Sequence, residues 1–267
     1  MGAIVTVVIS GIVYALRVEP YHVGITRLEI PVRNLPPMFD GMTLVQISDL
    51  HFGTWMTADR LAAIVCRIND LQADCIVITG DFVSRINQQL AHELTISLKA
   101  LEASYGIYGV FGNHDHWSNA KAVWDAVTAA GVRLLINENI TIERDGRTLH
   151  IAGVDDIWEN EHDLDAALDG VPSDSCVILL AHEPDFVDQV APDGRIALQL
   201  SGHTHGGQVR LPLIGAPILP VLGTKHDVGL YTVDGMNLYV NRGIGMMSPY
   251  VRFRCPPEIT HITLRVT

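Results

Sequence analysis

The sequence predicts an α/β fold, because short apolar runs alternate with segments typical of helices along its 267 residues. Five runs rich in Val, Ile and Leu have the length and composition of buried strands. These runs are 43–47, 75–78, 107–111, 176–180 and 196–200. Helices are predicted at 57–71, 88–103 and 119–130, with Thr57 and Ser118 preceding the first and the third as candidate N-caps. Strand and helix in repetition predict an α/β sandwich.

Other strands are predicted outside these five runs. Residues 23–32 alternate enough to form a strand, and the Pro-rich segment 34–37 connects it to the rest of the chain. Residues 139–151 contain an Asp145-Gly146 pair between two alternating stretches, which is typical of a hairpin turn. With 48% apolar residues the chain can bury one large core. We therefore expect a single domain over 18–267.

The chain begins with an apolar segment. Residues 2–16 carry no charge, whereas Arg17, Arg27 and Arg33 follow on the carboxyl side. The run is shorter than the about 20 residues that span a bilayer, and it lacks the basic start and the cleavage site of a secretory signal. The positive-inside tendency favours an uncleaved membrane anchor at 1–17, with the catalytic domain on the cytoplasmic face of the inner membrane. A buried first strand is the alternative.

Charge and cysteine usage restrict the partners and the metal chemistry. The formal net charge of −12 argues against nonspecific nucleic-acid binding, which depends on neutralising many phosphates with Lys and Arg. A nuclease would also need a basic groove with stacking aromatic side chains. The four cysteines show no Cys-x-x-Cys spacing, so they are interpreted as reduced packing residues and not as metal ligands.

A short polar motif follows each of the five predicted buried strands. The motifs are Asp49-Leu50-His51, Gly80-Asp81, Gly112-Asn113-His114-Asp115, Ala181-His182-Glu183-Pro184 and Gly202-His203-Thr204-His205. Alternate residues at an extended strand end or in a tight turn face the same way, so both side chains of Asp-x-His or His-x-His can reach one small volume. Open α/β sheets place their ligands at the carboxyl ends of strands. Imidazole and carboxylate suit Zn, Mn or Fe, and two such ions roughly 3.5 to 4 Å apart can hold the attacking and leaving oxygens of a phosphate ester.

This order of motifs resembles the calcineurin-like metallophosphoesterase family over about residues 44–208. Within that family, the segments 47–53, 202–208 and 255–259 are similar to a membrane-associated bacterial branch that includes phosphodiesterases. The resemblance implies the metallo-dependent phosphatase sandwich, in which two β-sheets pack face to face and helices lie outside. It also implies a metal-dependent phosphoesterase that acts as a hydrolase on ester bonds.

The resemblance further implies a role for each motif residue. Six side chains would hold two divalent ions, Mn, Zn or Fe: Asp49, His51 and His205 one of them, and Asn113, His182 and His203 the other. Asp81 would bridge the ions, because a carboxylate between two cations is favoured, and the cations would lower the pKa of a shared water. The nucleophile would then be metal-bound hydroxide. His114 would stabilise charge on the phosphoryl oxygens or protonate the leaving group, and Asp115 would orient and charge His114.

The segment after Asp81 departs from the family pattern. Many relatives carry Asp or Asn where Ser84 stands, and protein Ser/Thr phosphatases continue with an Arg-Gly pair that this chain lacks. The departure weakens a protein-phosphatase interpretation. Ser84 is not among the implied ligands, so metal binding should survive, whereas a hydrogen bond from that position to a ligand would be altered.

Two features bear on the substrate. An apolar loop at 211–220 follows the His-x-His motif, and its prolines and glycines exclude a helix. If exposed beside the site, this loop would suit a lipid-linked phosphate such as UDP-diacylglucosamine, and a loop packed on the core is the alternative. Arg242 and Arg252 are candidate phosphate contacts, because a guanidinium matches phosphate oxygens, whereas Arg254 is interpreted as a surface residue.

The sequence thus predicts a dinuclear-metal phosphoesterase that hydrolyses phosphodiester or pyrophosphate bonds, with lipid-linked substrates as the finer hypothesis. Three alternatives stay open: a phosphomonoesterase of the same fold, a nuclease of the same fold, and a non-catalytic scaffold tethered to the membrane. The remaining histidines lack a motif context and are predicted to be surface or structural residues. They are His22, His92, His116, His150, His162, His226 and His261.

Overall fold

The computed structural model describes residues 2–267, apart from the side chains of residues 2–4, 7 and 8. Two six-stranded sheets and six α-helices make up this part of the chain. The strands are β1 (Gly24–Val32), β2 (Thr43–Ile47), β3 (Cys75–Thr79), β4 (Ile107–Val110), β5 (Arg133–Leu134), β6 (Glu138–Arg144), β7 (Arg147–Gly153), β8 (Val177–Leu180), β9 (Ile196–Ser201), β10 (Gly229–Val233), β11 (Met236–Val240) and β12 (Glu258–Val266). The helices are α1 (Gly2–Arg17), α2 (Ala58–Asn69), α3 (Gln88–Lys99), α4 (Asn113–Ala129), α5 (Leu164–Ala167) and α6 (Val187–Val190).

The two sheets are mixed and have a similar plan. The first has the order β1-β12-β2-β3-β4-β5, in which only β12 and β2 pair antiparallel. The second has the order β10-β11-β9-β8-β7-β6, with three parallel pairs in the centre and an antiparallel pair at each edge. In both sheets the central parallel strands carry the motifs, so their carboxyl ends lie side by side.

The sheets pack face to face and bury one apolar core between them. Leu44 and Val77 of the first sheet and Ile178 and Leu198 of the second belong to this shared core. Helices α2, α3 and α4 cover the outer face of the first sheet, whereas α5 and α6 cover that of the second. The predicted α/β sandwich of two packed sheets flanked by helices is therefore confirmed.

Helix α4 begins earlier than the sequence predicted, at Asn113 and not at 119. Its first turn forms because the Asp115 carboxylate accepts a hydrogen bond from the Gly112 N–H (3.0 Å) and so caps the helix. The helix is interrupted at Asn119 (φ −170°, ψ 92°), whose Oδ1 accepts from the Ala122 N–H (3.0 Å) and caps the second part. Asn119 and not Ser118 is therefore the cap there, and the Gly-Asn-His-Asp motif begins the helix.

The other helix starts and the hairpin agree with the prediction. Thr57 caps α2 by accepting from the Arg60 N–H, and Asn87 caps α3 by accepting from the Leu90 N–H. Asp145 (φ 50°) and Gly146 (φ 71°) connect β6 to β7, and positive φ at both positions is what a tight hairpin turn requires. The sequence thus fixes these local features through caps and turn residues.

The amino-terminal segment is helical, so the alternative of a buried first strand is wrong. Its carboxyl end docks on the domain, where the Arg252 N–H donates to the Ala15 carbonyl (3.1 Å) and Glu19 accepts from the Cys255 N–H. The side chains of Val5 and Ile9 are more than half exposed. Within residues 2–267, no helix combines the length and the apolarity that crossing a membrane requires.

Candidate metal centre

The motif residues lie where strands β2, β3, β8 and β9 end and where α4 begins. Five of these side chains belong to residues with a left-handed backbone, and their φ angles lie between 48° and 70°. These residues are Asp49, His51, Asp81, His203 and His205. Residues other than Gly rarely adopt this conformation, and such strain is concentrated at functional sites. Of the two backbone forms expected at these motifs, an extended strand end or a tight turn, the structure has tight turns, which bring both side chains of each pair into one volume.

Glycines let these turns approach each other closely. A Cβ atom on Gly202 would lie 1.8 Å from Ser48 Oγ, and one on Gly80 would lie 2.3 Å from His182 Nδ1. The approach couples the motifs, because the His203 N–H donates to both carboxylate oxygens of Asp49 (3.1 Å each). Glycine at these two positions is therefore required by packing around the site.

The side-chain atoms that could bind cations converge on Asp81 and Asp49. Asp81 Oδ2 lies 3.4 Å from His51 Nε2 and 3.4 Å from His182 Nε2. His205 Nε2 lies 3.0 Å from His51 Nε2 and 3.3 Å from Asp49 Oδ1. Asp81 therefore stands between a histidine of each ligand set that the resemblance implies, which is the position that a bridging carboxylate needs.

Hydrogen bonds to backbone carbonyls orient two of the imidazoles. His182 Nδ1 lies 2.7 Å from the Thr79 carbonyl, and His203 Nε2 lies 2.8 Å from the Val221 carbonyl. A carbonyl only accepts, so these nitrogens carry the hydrogen and the opposite ring nitrogens keep a lone pair. Such a bond on the remote nitrogen is the usual support of a metal-ligating histidine.

Buried acceptors without a donor test whether the site suits cations. Among the described residues, Asn113 Oδ1 and His182 Nε2 are buried and make no hydrogen bond. Each such group costs on the order of 1–3 kcal/mol. Divalent cations would satisfy both, and the oxygen and imidazole donors match the ligand preferences of Zn, Mn and Fe. The residues present therefore fit the two divalent metals that the family's fold implies.

Burial sets the charge states of the cluster. It lowers the pKa of His51 and of His203 to about 3, so both imidazoles are neutral near pH 7. Burial would raise the pKa of Asp81, but the neighbouring His182, whose Nε2 lies 3.4 Å from Asp81 Oδ2, holds that pKa below its usual range. The neutral imidazoles of His51 and His203 and the ionised carboxylate of Asp81 are forms that bind metal.

His114 and Asp115 are placed by the first turn of α4. The His114 N–H donates to Asp81 Oδ1 (2.9 Å), and the His114 ring packs edge-on against the His51 ring with centroids 4.8 Å apart. The two Asp115 oxygens accept from the N–H groups of Gly112 (3.0 Å) and Val83 (3.1 Å). Asp115 therefore positions His114 by fixing the helix start and the loop after Asp81, where the sequence analysis expected direct orientation.

Ser84 supports one of the cluster histidines. Its Oγ lies 3.1 Å from His51 Nδ1 and 3.2 Å from Thr54 Oγ1. The hydroxyl is therefore the partner of His51 Nδ1, at the position where the family resemblance led us to expect an altered hydrogen bond. Because a hydroxyl carries no charge, it polarises the imidazole less than a carboxylate would.

We expect Ser84→Ala to lower the affinity of the protein for its divalent ions by about 10- to 100-fold, the usual cost of losing a hydrogen bond behind a ligand. The reason is that His51 Nδ1 would lose the partner that fixes its ring. Calorimetric titration of the metal-free protein with Mn²⁺ measures the change. Ser104→Ala is the matched control, because Ser104 is exposed and its hydroxyl donates to the Asp74 carbonyl just before β3, away from the carboxyl ends of the strands. An unchanged affinity in Ser84→Ala would show that Ser84 does not support the site.

The prediction that Arg252 contacts the substrate phosphate is wrong. Its side chain is fully buried, and it donates to the carbonyls of Cys255 (2.9 Å) and Gly245 (2.7 Å) and to two further carbonyls, those of Arg242 and Gly243. The Gly245 N–H in turn donates to the Asp49 carbonyl (2.8 Å). Arg252 thus holds the segment that packs behind the Asp49 turn. Its neighbours in sequence gave no signal for this role, because the carbonyls converge only in the fold.

A cleft of about 390 Å³ opens onto the cluster. Asp81, His114 and His203 line its floor, and Trp117 and Trp158 line one side. The 217–220 segment of the apolar loop also lines the cleft, and its Ile218 is 79% exposed. The alternative of a loop packed on the core is therefore wrong, and the loop instead forms a wall of the cleft.

Three residues at this site were not among those predicted from the sequence. Trp117 and Trp158 lie beside the floor of the cleft, and their rings contact His114 and His203 edge-on. Glu183 is fully buried and accepts from the backbone N–H groups of Ile157 and Trp158 (3.3 Å each), so it holds the turn that carries Trp158. Two positions in the sequence could have indicated these residues. Glu183 directly follows His182, and Trp117 lies two residues after Asp115.

The chain belongs to the calcineurin-like phosphoesterase family, since the model of that family matches residues 42–207. The fold, the metal-ligand types and this match together define a metal-dependent phosphoesterase. Among its relatives, the uncharacterized metallophosphoesterase YkuE of Bacillus subtilis is 36% identical over 97% of this chain and 91% of its own length. The phosphodiesterase YaeI of Escherichia coli is 28% identical over 82% of this chain and 80% of its own length.

Two further matches are a relative from zebrafish and a solved structure. A zebrafish transmembrane protein with a metallophosphoesterase domain is 32% identical, and this chain spans 62% of its length. The solved structure of the sulfate thiohydrolase SoxB of Thermus thermophilus has a TM-score of 0.51 and 14% identity, covering 79% of this chain and 53% of SoxB. The likeness to SoxB shows the shared fold alone.

Proposed function

We propose that this protein is a dinuclear-metal hydrolase of phosphodiester or pyrophosphate bonds and that its substrates are lipid-linked. The observation that carries the dinuclear proposal is the position of Asp81 Oδ2, at 3.4 Å from the Nε2 atoms of both His51 and His182. The buried acceptors Asn113 Oδ1 and His182 Nε2, which have no donor, belong to the same cluster of side chains. This arrangement is costly without cations and is satisfied by two of them.

Two sets of side chains would hold the ions, as the family resemblance implies. One set is Asp49, His51 and His205, the other is Asn113, His182 and His203, and Asp81 would belong to both. Divalent ions bound there supply a nucleophile from water near neutral pH and positive charge for the phosphate oxygens. The protein contributes the orientation of the ligands through Thr79, Val221 and Ser84.

His114 acts on the leaving group. The bond from its backbone N–H to Asp81 fixes the start of α4 relative to the cluster, and its ring lines the cleft between the His51 and Trp117 rings. From there its imidazole can donate a proton to the departing oxygen or stabilise negative charge on it. Asp115 keeps this geometry through its bonds to Gly112 and Val83.

Membrane attachment through residues 1–17 and a lipid-linked substrate are the finer part of the proposal. Support comes from the apolar cleft wall and from exposed apolar side chains of α1, among them Ile9 and Ile12. The zebrafish relative is itself a transmembrane protein. The catalytic domain then lies on the cytoplasmic face, in line with the arginines that follow the segment.

The diester preference is tested by comparing hydrolysis of bis-p-nitrophenyl phosphate with that of p-nitrophenyl phosphate. The metal-stripped full chain is reloaded with Mn²⁺, Zn²⁺ or Fe²⁺ in parallel. We expect the diester to react faster, because the cleft offers apolar surface for a second substituent on phosphorus. Faster hydrolysis of the monoester would instead favour a phosphomonoesterase of the same fold. No turnover of either ester with two ions bound would favour the scaffold.

A further inference from the structure

We infer that the cleft is a subsite for the uncharged, apolar alcohol of a phosphodiester that carries a single phosphate, and that Trp117 and Trp158 bind this alcohol. The inference rests on the proposed phosphoesterase function and narrows it. Of the two bond types that the proposed function leaves open, it selects the diester over the pyrophosphate of a nucleotide.

A row of aromatic rings connects His114, the proposed general acid, to His203, a proposed metal ligand. The ring centroids of His114 and Trp117 are 4.8 Å apart, those of Trp117 and Trp158 are 5.5 Å apart at 89°, and those of Trp158 and His203 are 5.7 Å apart. Trp117 is 52% exposed and Trp158 is 38% exposed. The polar edge of Trp117 is engaged, since its Nε1 donates to Glu159 (2.7 Å). Apolar ring surface therefore remains free at the reacting centre.

A second set of lining residues is mainly aliphatic. It consists of the loop segment 217–220 together with Val209, Val251 and the 247–249 segment. Most of the polar residues that line the cleft belong to the motifs, and the side chain of Gln208 is held by the backbone of Met247. Such a cleft, with apolar walls and a few convergent polar groups, is typical of sites for small ligands, and 390 Å³ lies within their usual range of about 300–1,000 Å³.

The cationic side chains near the cleft already have partners. Arg210 pairs with Asp227 (2.7 Å) and also donates to the Gly206 carbonyl, and Arg252 is buried among carbonyls. Arg242 lies 3.7 Å from Glu258. Among the residues that the structure describes, no Lys or Arg lines the cleft.

The lack of Lys and Arg side chains among the described residues of the cleft restricts the charge of the substrates that it can bind. Proteins neutralise phosphate oxygens with guanidinium or ammonium groups unless a metal does so. The metal-ligand cluster serves one phosphate on the floor of the cleft. A second phosphate would lie between apolar walls without a cation, and a charged group desolvated in that way is strongly disfavoured. An uncharged alcohol has no such cost and gains from contact with both walls.

The test compares p-nitrophenyl phosphodiesters whose second alcohol is methyl, butyl, octyl or thymidine. We expect kcat/KM of the metal-loaded wild type to rise along the alkyl series by up to about fourfold per methylene, the ratio that full burial of one CH₂ gives. The octyl ester should exceed the thymidine ester. In Trp158→Ala and Trp117→Ala the gain in kcat/KM with chain length should shrink, through KM.

Trp124→Ala is the matched control, because Trp124 is exposed to a similar degree (39%), lies on α4 and does not line the cleft. It should keep the full dependence on chain length. A second readout is independent of turnover: calorimetry should show tighter binding of octylphosphonate than of methylphosphonate, and the difference should fall in Trp158→Ala but not in Trp124→Ala.

Two outcomes would overturn the inference. One is equal kcat/KM across the alkyl series together with equal affinity for the two phosphonates, and the other is a preference for the thymidine ester. The proposed function fails separately, if no ester is hydrolysed by protein that binds two ions. In that case the phosphonate affinities still decide whether the cleft binds an apolar alcohol.

Discussion

Asp81→Asn should abolish phosphoester hydrolysis and reduce the bound metal from two ions per chain towards one. The carboxylate lies between His51 and His182, and a neutral amide cannot balance two cations. We expect a loss of activity larger than the about 10²- to 10⁴-fold that one general acid contributes, because both the nucleophile and the charge on the phosphate depend on the pair of ions. Elemental analysis of the metal, alongside initial rates with bis-p-nitrophenyl phosphate, measures both effects.

Asp81→Asn removes the negative charge of the side chain but keeps its shape. Asp81 Oδ1 accepts from the His114 N–H (2.9 Å), and the amide oxygen of Asn can still accept this bond. The start of α4 should therefore remain in place. Asp125→Asn is the matched control, because Asp125 lies on the exposed face of α4, where it pairs with Lys121. Wild-type activity with two ions in Asp81→Asn would rule out the bridging role.

His114→Asn should lower kcat by about 10²- to 10⁴-fold, the contribution of a general acid, and leave two ions bound. The effect should depend on the leaving group. p-Nitrophenol departs readily as an anion, whereas phenol gains more from a proton, so the loss should be greater with diphenyl phosphate than with bis-p-nitrophenyl phosphate. Hydrolysis of both esters by the metal-loaded variant provides the comparison.

His116→Asn is the control for His114→Asn. His116 is on the same turn of α4, but its Nε2 lies 2.8 Å from Asp155 Oδ1 rather than facing the cluster. Its replacement should leave the ratio of the two ester rates unchanged. An equal loss with both esters in His114→Asn, accompanied by loss of metal, would mean that His114 supports the ions and not the leaving group.

The sequence predicted those parts of the fold that depend on local patterns. The five apolar runs form strands β2, β3, β4, β8 and β9, because a segment buried on both faces must be apolar throughout. The cap at Thr57 and the turn at Asp145-Gly146 act within a few residues. The same patterns placed the motifs at strand ends, so the position of the site followed from the order of elements.

Features that depend on distant residues were not visible in the sequence. Strand β12 inserts between β1 and β2, although about 200 residues separate them in sequence. Arg252 looks like a phosphate contact until the carbonyls around it are known. The start of α4 was misplaced because the polar motif residue Asp115 serves also as the helix cap. Trp117 and Trp158 are far apart in the chain, and no periodicity predicts that their rings meet at the cleft.

The measurement that most directly tests the dinuclear centre is a titration of metal-stripped protein with Mn²⁺, in which bound metal and the rate of bis-p-nitrophenyl phosphate hydrolysis are followed together. We predict that two ions bind per chain, that activity appears with the second, and that Asp81→Asn regains neither the second ion nor the activity. Full activity with one ion per chain, or in the metal-free protein, would contradict a dinuclear phosphoesterase.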